Sequence, residues 1–372
     1  MGNSIKYLLL LLVFCNACGQ NNKDTGIESP ETQKIKPQLV VSDLEIPWGM
    51  AFLPDGGILI TEKKGQLYRI KGTKKTIIGN TPEVFFSGQG GLLDVALHPN
   101  FSENQFIYLT YASSEGGGDG GHTALMRARL QGDQLTENQV LYKGTPNTEK
   151  GHHFGSRIAF DRDGYLYFTI GDRGNRDENP QNITRDGGKV YRLHDDGSIP
   201  SDNPFVNASG AKTAIYSYGH RNPQGMALHP KTGAIWTHEH GPKGGDEINI
   251  IKKGENYGWP VISYGINYDG TSFTDITEKE GMLQPLHYWV PSIAPSGLAI
   301  VSSDKYPDWQ GDLLVGSLSF QYLEHLVMDG EKVVKREKLM EDIGRVRDVV
   351  QAPDGYIYVA VESKGIYRLD PM

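Results

Sequence analysis

One histidine and one aspartate flank a short apolar stretch in a way that could make a general base. His153 lies in Gly151-His-His-Phe-Gly-Ser-Arg157, before the stretch, and Asp172 lies in Gly171-Asp-Arg-Gly174, after it. If the stretch is a β-hairpin, antiparallel pairing brings its two ends together. A carboxylate beside an imidazole fixes the imidazole tautomer and raises its basicity. The pattern predicts a base at His153. The alternative is a structural His–Asp hydrogen bond at the edge of a sheet.

Fixed hydrogen-bond donors stand at two other points of the chain. Arg221 and Asn222 lie in Tyr218-Gly-His-Arg-Asn-Pro-Gln-Gly225 and could bind an anionic or carbonyl-bearing ligand. The alternative there is a turn built on Asn-Pro, with the arginine at the surface. Gln89 stands in a run of glycines and could also reach a ligand, although a glycine-rich turn explains the same residues.

Two arginines occupy alternate positions in Gly344-Arg-Val-Arg347. In an extended segment, alternate side chains point to the same side. Arg345 and Arg347 therefore suit a ligand that carries several carboxylates, and an exposed strand face is the alternative.

A fourth segment combines glycine, proline and acidic residues, as sites for hard cations often do. It runs from His238 to Glu247 and is followed by Gly254-Glu-Asn-Tyr-Gly-Trp259. Glycine and proline in a loop leave backbone carbonyls able to point inward, and with carboxylates nearby they favour calcium. His238 and His240 could instead indicate zinc, but no third ligand follows at a recognisable spacing, so zinc is the weaker interpretation.

These segments sit next to the members of a repeat, which must position them. An apolar strand leads to Pro-Asp-Gly or a similar turn, and a second alternating strand follows. The six units are residues 48–61, 93–111, 157–170, 224–237, 297–316 and 347–360. Hairpins repeated every 45 to 70 residues or so are typical of propeller blades. The sequence therefore predicts an all-β, six-bladed β-propeller whose loops meet at one mouth of the central channel.

Composition and charge agree with this prediction and exclude some partners. The chain has 372 residues and 46 glycines, which suits many short strands joined by tight turns. Its net charge of -8 disfavours nucleic acid as a partner, because phosphate binding requires clustered lysine and arginine.

The first residues indicate export. An apolar run too short to span a bilayer leads into Asn16-Ala-Cys-Gly19, which looks like a signal peptide with a lipoprotein processing site. We expect residues 1–18 to be the signal segment, 19–36 a flexible tether and 37–372 the propeller. The mature protein would be periplasmic or at the cell surface, lipid-anchored at Cys18. Ordinary secretion without a lipid is the alternative. Both cysteines lie in this segment, so the propeller has no disulfide.

Together these segments resemble the soluble aldose sugar dehydrogenases that use pyrroloquinoline quinone (PQQ) and calcium, within the wider glucose/sorbosone dehydrogenase family. The resemblance runs from about Pro47 to Leu369, and its motifs occur in the family's order at spacings that suit blades. An ordered set of motifs is far more specific than any single motif.

The resemblance implies oxidation of the C1 hydroxyl of an aldose to a lactone, by hydride transfer to PQQ, with an external electron acceptor. It implies His153 as the general base, Asp172 as its orienting partner and Arg221 as the group that stabilises charge on the quinone. The implied cofactor contacts are Gln89, Arg221, Asn222, Arg345 and Arg347. The implied calcium ligands are Gly241 and Pro242 at the cofactor, and Glu247 and Tyr257 at a second, structural site. We expect a monomer or a homodimer.

Some positions depart from the family pattern. Ser319 stands near the place where family members often have a PQQ-binding lysine, and His152 replaces an acidic neighbour of the base. These differences leave the hydride chemistry intact and bear on sugar preference and cofactor affinity.

Two other functions are alternatives, because propellers host many activities. A calcium-dependent hydrolase, such as a lactonase, would need carboxylates or amides from several blades around a metal. The histidine, arginine, asparagine and glutamine of this chain suit an anionic quinone better. A non-catalytic propeller that binds glycans or protein would make the His153–Asp172 pair and the three arginines incidental, and their position at the entries of blades argues against this.

Overall fold

The computed structural model describes Met1 and residues 34–372. Within residues 34–372 the chain forms six antiparallel sheets of four strands each, and the first strands of neighbouring sheets contact one another around a central axis. The predicted all-β, six-bladed propeller is confirmed. The described part holds one short helix, Phe101–Asn104, and one 3₁₀ turn, Pro307–Trp309.

The strands are numbered in chain order and grouped by blade. Blades 1 to 3 contain β2 Pro47–Phe52, β3 Ile58–Glu62, β4 Leu67–Lys71 and β5 Lys74–Ile78; β6 Leu92–Leu97, β7 Phe106–Ser113, β8 His122–Gln131 and β9 Gln134–Lys143; and β10 Ile158–Phe160, β11 Leu166–Ile170, β12 Lys189–Leu193 and β13 Ile215–Tyr218. Blades 4 to 6 contain β14 Pro223–Leu228, β15 Ile235–Glu239, β16 Asp246–Ile250 and β17 His287–Trp289; β18 Pro295–Ile300, β19 Leu313–Ser317, β20 Leu323–Asp329 and β21 Lys332–Leu339; and β22 Val346–Gln351, β23 Ile357–Val361, β24 Gly365–Pro371 and β1 Ile35–Val41.

Burial along the strands follows from the stacking of blades. All residues of β11 and β19 are buried, because a second strand of a blade is covered on both faces by its neighbours. The outermost strands β9 and β21 face solvent on one side and are largely exposed. Turns such as those at Gly56 and Gly355 have φ of 80° and 83°, which only glycine adopts without strain.

The two ends of the described chain close the ring. Strand β1 pairs antiparallel with β24, from Ile35 opposite Pro371 onwards, and so completes the sixth blade. The strand begins two residues before the expected boundary at residue 37, inside the segment assigned to the tether. The signal segment, Cys18 and residues 19–33 of the tether lie outside the described residues.

A buried arginine ties the inner strands together in the channel. Arg157 Nη1 lies 3.0 Å from Asp94 Oδ1 and 2.9 Å from Asp348 Oδ1. The same carboxylates accept the backbone N–H groups of Ile158 (2.8 Å) and Met50 (3.0 Å). Arg157 also donates to the Gln224 carbonyl (3.0 Å), so the cluster joins five of the six blades. Burial raises the pKa of both carboxyl groups, and the charge of Arg157 opposes that shift.

A cavity of about 480 Å³ lies along the inner strands at this cluster. Neither His153 nor Asp172 lines it. The predicted chemistry is therefore concentrated at the opposite mouth, where the inner strands begin.

Candidate active site

The structure brings His153 and Asp172 together at the open end of the β10–β11 hairpin. His153 Nδ1 lies 2.6 Å from Asp172 Oδ1. The same oxygen accepts the N–H of Gly174 (2.7 Å), and Oδ2 accepts the indole N–H of Trp259 (2.9 Å). This hydrogen-bond network assigns the imidazole proton to Nδ1, which leaves Nε2 as the basic nitrogen.

Side chains from two other blades hold the backbone around the histidine. His153 has φ of 60°, in the left-handed region that residues other than glycine seldom adopt. Its N–H donates to Gln89 Oε1 (2.8 Å), and the N–H of Gly155 donates to Asn222 Oδ1 (3.0 Å). Strained backbone that is fixed in this way is typical of functional sites.

The electrostatics of the pair differ in one respect from the expectation. Burial, assisted by the charge of Arg221, lowers the pKa of His153 to about 4, and the opposing effect of Asp172 is smaller. The expected net rise in basicity is therefore wrong, because desolvation disfavours the charged imidazole. Burial acts to raise the pKa of Asp172, but its hydrogen bond with His153 and nearby positive charge hold that pKa below its ordinary value. At neutral pH the pair is a neutral imidazole and a carboxylate.

Arg221 and Asn222 lie beside this pair. Arg221 Nη1 donates to the carbonyls of His240 (3.0 Å) and Gly241 (2.6 Å), and its guanidinium lies 5.3 Å from the ring centre of Trp259. Asn222 is fully buried, and its Nδ2 has no hydrogen-bond partner within the described structure. A buried donor without a partner is costly, so this nitrogen requires an acceptor that the described chain does not supply. Asn222 does not itself line the cavity that opens over His153 and Asp172.

A cavity of about 280 Å³ opens over these groups. It is lined by residues that include His152, His153, Asp172, Arg221, Pro242 and Trp259. The imidazole–carboxylate pair, a guanidinium and an aromatic ring therefore face one space large enough for a small polar ligand.

Arg345 and Arg347 do not line that cavity, and both reach Glu362. Arg345 Nε donates to Glu362 Oε2 (2.8 Å), and Arg347 Nε donates to Oε1 (3.1 Å). The Arg345 side chain is 46% exposed and that of Arg347 is 10% exposed. Burial lowers the pKa of Lys63, and the charge of Arg347 lowers it further. Two arginines thus share one carboxylate with Lys63 nearby, an arrangement that suits a ligand with several negative charges.

The carbonyl groups implied for the cofactor calcium are already engaged. The Gly241 carbonyl accepts the Arg221 guanidinium, and the Pro242 carbonyl accepts the Ser292 hydroxyl (3.1 Å). Asp246 holds this loop by accepting the N–H of Gly241 (2.7 Å). Backbone carbonyl oxygens, which are hard donors, do converge in this loop. The positive charge that they bind in this structure is the Arg221 guanidinium.

Glu247 and Tyr257 belong to a buried polar cluster on the outer side of Arg221. Glu247 lies opposite Glu239 across β15 and β16, and Asn249 Nδ2 donates to both carboxylates at 3.2 Å. Burial and the charge of Glu239 raise the pKa of Glu247 well above its ordinary value. Asn249 Oδ1 is buried without a partner in the described chain. The Tyr257 ring stacks on His220, whose Nδ1 lies 2.8 Å from Glu239.

Within residues 34–372 there is no group of three or more His, Cys, Asp or Glu side chains arranged for a metal ion. The zinc interpretation finds no support in the two histidines that suggested it. His238 Nε2 lies 2.9 Å from the Gly297 carbonyl and His240 Nε2 lies 2.7 Å from the Pro295 carbonyl, so each ring is committed to a separate backbone group.

Three functional residues were missed by the sequence reasoning. Trp259 and Glu239 lay inside segments that had been singled out for calcium, but no role was given to the indole or to this carboxylate. Glu362 follows the last repeat and ends its hairpin beside Arg345, but this pairing was not considered. The contact between Trp259 and Asp172 joins residues 87 positions apart, so no spacing rule could have found it.

Comparison with known proteins agrees with this geometry. Residues 44–368 match the family model described as Glucose / Sorbosone dehydrogenase. The chain belongs to this family. It is 42% identical over 341 residues to the aldose sugar dehydrogenase YliI of Escherichia coli, covering 89% of this chain and 91% of that protein. It is 29% identical over 426 residues to quinoprotein glucose dehydrogenase B of Acinetobacter calcoaceticus, covering 91% and 88%.

Solved structures of family members have the same fold. The soluble aldose sugar dehydrogenase of Escherichia coli, in its apo-form, superposes with a TM-score of 0.88 at 40% identity, covering 91% of this chain and all of that one. The PQQ-bound aldose sugar dehydrogenase of Streptomyces coelicolor superposes with a TM-score of 0.74 at 28% identity, covering 92% and 99%. This chain is thus a member of a family of sugar dehydrogenases.

Proposed function

We propose that this protein is a PQQ-dependent aldose sugar dehydrogenase that oxidises the C1 hydroxyl of an aldose to the lactone. The observation that carries the proposal is the buried His153–Asp172 pair, which shares a cavity with Arg221 in a chain of this family. PQQ, when bound, would supply the electrophilic carbonyl that takes the C1 hydrogen as a hydride.

His153 takes the proton in this reaction. Its Nε2 is unprotonated at neutral pH and accepts the proton of the anomeric hydroxyl as the C1 hydrogen departs with its electron pair. The oxygen and C1 then form the lactone carbonyl. Asp172 keeps the ring in the required tautomer and stabilises the imidazolium that forms, because both of its oxygens are already fixed by donors.

The remaining polar groups would hold the cofactor. Asn222 Nδ2 is a buried donor without a partner in the described structure, and Arg221 is a cation whose charge acts on the base, so both suit a quinone oxygen that gains negative charge. Arg345 and Arg347 suit carboxylates. Lys63 lies beside them and would supply the positive charge that family members often obtain from a lysine near the position of Ser319.

Calcium is proposed at two places on the basis of donor chemistry and the family resemblance. The carbonyls of Gly241 and Pro242 would hold it at the cofactor. Glu247, with the carbonyl of Tyr257, would hold it at the second site, where a divalent cation would relieve the repulsion between Glu247 and Glu239.

We also propose export, a lipid anchor at Cys18, an external electron acceptor and a monomeric or homodimeric state. No helix in the described residues is long and apolar enough to cross a bilayer. The proposed membrane attachment therefore rests on the N-terminal sequence.

The test is reconstitution of residues 19–372 with PQQ and calcium. Dye reduction is followed with a panel of aldoses, and the lactone is identified by NMR. His153→Ala is expected to abolish turnover, whereas His194→Ala, a histidine of the same blade that packs on Tyr165 outside the cavity, is the matched control and should retain it. PQQ binding is measured separately by calorimetry.

Aldose-dependent reduction that requires PQQ and His153 would support the proposal. PQQ binding without turnover on any aldose would overturn the substrate assignment. Absence of both PQQ binding and aldose turnover would favour a hydrolase or a binding propeller.

A further inference from the structure

A buried lysine that takes no part in the proposed chemistry lies in the centre of blade 3. Lys189 opens β12, opposite Ile170 of β11 and Tyr218 of β13, and its side chain is fully buried. Its Nζ donates to three backbone carbonyls, those of Asn179 (2.6 Å), Gly187 (2.7 Å) and Pro180 (3.1 Å). A buried ammonium without an ion-pair partner is unusual, because desolvation of the charge is costly.

The three carbonyls belong to the loop that leaves β11 with Asp172 and returns to β12. Asn179 Nδ2 donates to the Asp172 carbonyl (3.0 Å), so the loop is tied to the residue that orients the base. Gln181 Nε2 donates to the Trp259 carbonyl (2.8 Å), so the same loop holds the indole that donates to Asp172 Oδ2.

The loop also meets the segment that carries Arg221. The Pro180 carbonyl accepts the N–H of Gly219 (3.0 Å) as well as the lysine, and the Gly188 carbonyl accepts the N–H of His220 (3.1 Å). The N–H of Asp172 donates to the Arg221 carbonyl (2.7 Å). The ammonium therefore stands at the junction of the two segments that carry Asp172 and Arg221.

The charge of the lysine is coupled to the same carboxylate. Burial lowers the pKa of Lys189 to about 7, and the charges of Asp186 and Asp172 raise it. Asp186 is occupied by Tyr142 and Lys212, and it makes no hydrogen bond to the lysine in the described structure. The carbonyls therefore hold the ammonium, and the ammonium holds their loop.

We infer that Lys189 is a positioning residue that fixes Asp172 against His153 through its bonds to the carbonyls of Asn179, Pro180 and Gly187. It touches neither His153 nor Arg221, and it acts through the loop between Asp172 and β12. The catalytic consequence rests on the function proposed above, whereas the positioning itself is a property of the protein without ligands.

The variant Lys189→Met keeps the length and burial of the side chain and removes all three donors. We expect kcat to fall about 10- to 100-fold, because small displacements of catalytic groups have effects of that size. Cofactor affinity should stay within about threefold, since Arg345 and Arg347 lie on another blade; calorimetry checks this. Leu314→Ala in the core of blade 5 is the control for lost stability. In an Asp172→Asn background, Lys189→Met should lower kcat by less than about a further threefold, because the effects of residues that act as one unit are not additive.

A second readout needs no turnover. The proton on His153 Nδ1, held in a 2.6 Å bond to a carboxylate, should give a downfield NMR signal in the ligand-free protein, assigned by its loss in His153→Gln. We expect Lys189→Met to shift or broaden this signal and Leu314→Ala to leave it unchanged. If Lys189→Met does not fold, Asn179→Ala removes the amide bond to the Asp172 carbonyl, together with the bond that Arg185 Nε donates to Asn179 Oδ1 (3.0 Å), and should shift the signal in the same way.

An unchanged Nδ1 signal in the folded Lys189→Met variant, or in Asn179→Ala, would overturn the inference. So would additive losses of kcat in the double variant. If the unmodified protein oxidises no aldose, the proposed function fails while the NMR comparison still decides whether Lys189 positions the pair.

Discussion

Replacing Asp172 by asparagine should disable the base, and the contacts show why. The two oxygens of Asp172 receive three N–H donors, from His153 and Gly174 on Oδ1 and from Trp259 on Oδ2. An amide has only one oxygen. In one orientation its NH₂ group faces the indole N–H. In the other it faces Gly174 and forces the imidazole proton from Nδ1 to Nε2, which removes the basic nitrogen.

The magnitude follows from the role of the pair. General-base catalysis contributes about 10²- to 10⁴-fold, so kcat/KM of Asp172→Asn should fall within that range. The unsatisfied donor should lower the free energy of unfolding by about 1–3 kcal/mol. Steady-state kinetics with PQQ and calcium measure the first quantity, and urea denaturation of the ligand-free protein measures the second. Asp163→Asn, in the exposed turn at the other end of the same hairpin, is the matched control and should change neither.

Replacing the indole of Trp259 tests which way the amide of Asp172→Asn is oriented. In Trp259→Phe the N–H that opposes one amide orientation is absent, so the asparagine can keep its oxygen towards His153. The effect of Asp172→Asn on the activation free energy should then shrink by about 1.4 kcal/mol, or tenfold in rate. A double-mutant cycle with additive losses would contradict the orientation argument, and an Asp172→Asn variant within threefold of the parent would contradict the base assignment itself.

The other predictions concern titration, calcium and ring closure. An NMR titration of the ligand-free protein should place His153 near pH 4, so its charge appears only below that pH, and Arg221→Gln should raise the midpoint because the guanidinium lowers that pKa. Calcium should raise the melting temperature more at pH 8 than at pH 5, because the raised pKa of Glu247 means that calcium competes with a proton there. Glu247→Gln should abolish this pH difference, and a variant that keeps the same pH-dependent calcium effect as the parent protein would exclude the site. A chain that begins at Lys34 should fold, whereas one that begins at Ser42 lacks β1 and leaves β24 as an unpaired edge. The shorter chain should therefore lose its cooperative melting transition, measured by circular dichroism. Equal transitions in the two chains would show that β1 is dispensable.

The sequence was sufficient for the blades because each hairpin is specified locally. Alternating apolar residues around a Pro-Asp-Gly turn, as in residues 347–360, contain both strands and their connection. The partner of β1 could not be found in this way. Ile35 pairs with Pro371 across the whole chain, and the strand has no turn signal beside it. Its first two residues were therefore assigned to the tether.

The same distinction separates the predicted from the missed parts of the site. His153 and Asp172 could be paired because they flank one hairpin. Trp259 meets Asp172 through loops of different blades, and loop paths are not encoded by periodicity. Glu239 and Glu362 end the β14–β15 and β22–β23 hairpins, beside Arg221 and Arg345, so hairpin pairing could have found them, but the sequence reasoning did not apply it there. The net pKa of His153 was also beyond the sequence, since burial by surrounding loops outweighs the neighbouring carboxylate.

A physical rule connects these missed features. The loops at the mouth lack ladder hydrogen bonds, so their backbone carbonyls need other donors. Buried cations supply them: Arg221 binds the carbonyls of His240 and Gly241, and Lys189 binds those of the loop after Asp172. Arg173 does the same for Gly121 and Lys150 (3.1 and 2.8 Å). A cation with several carbonyls can order a loop that no strand pairs with. Its loss therefore displaces the catalytic side chains while the blades that carry them stay folded.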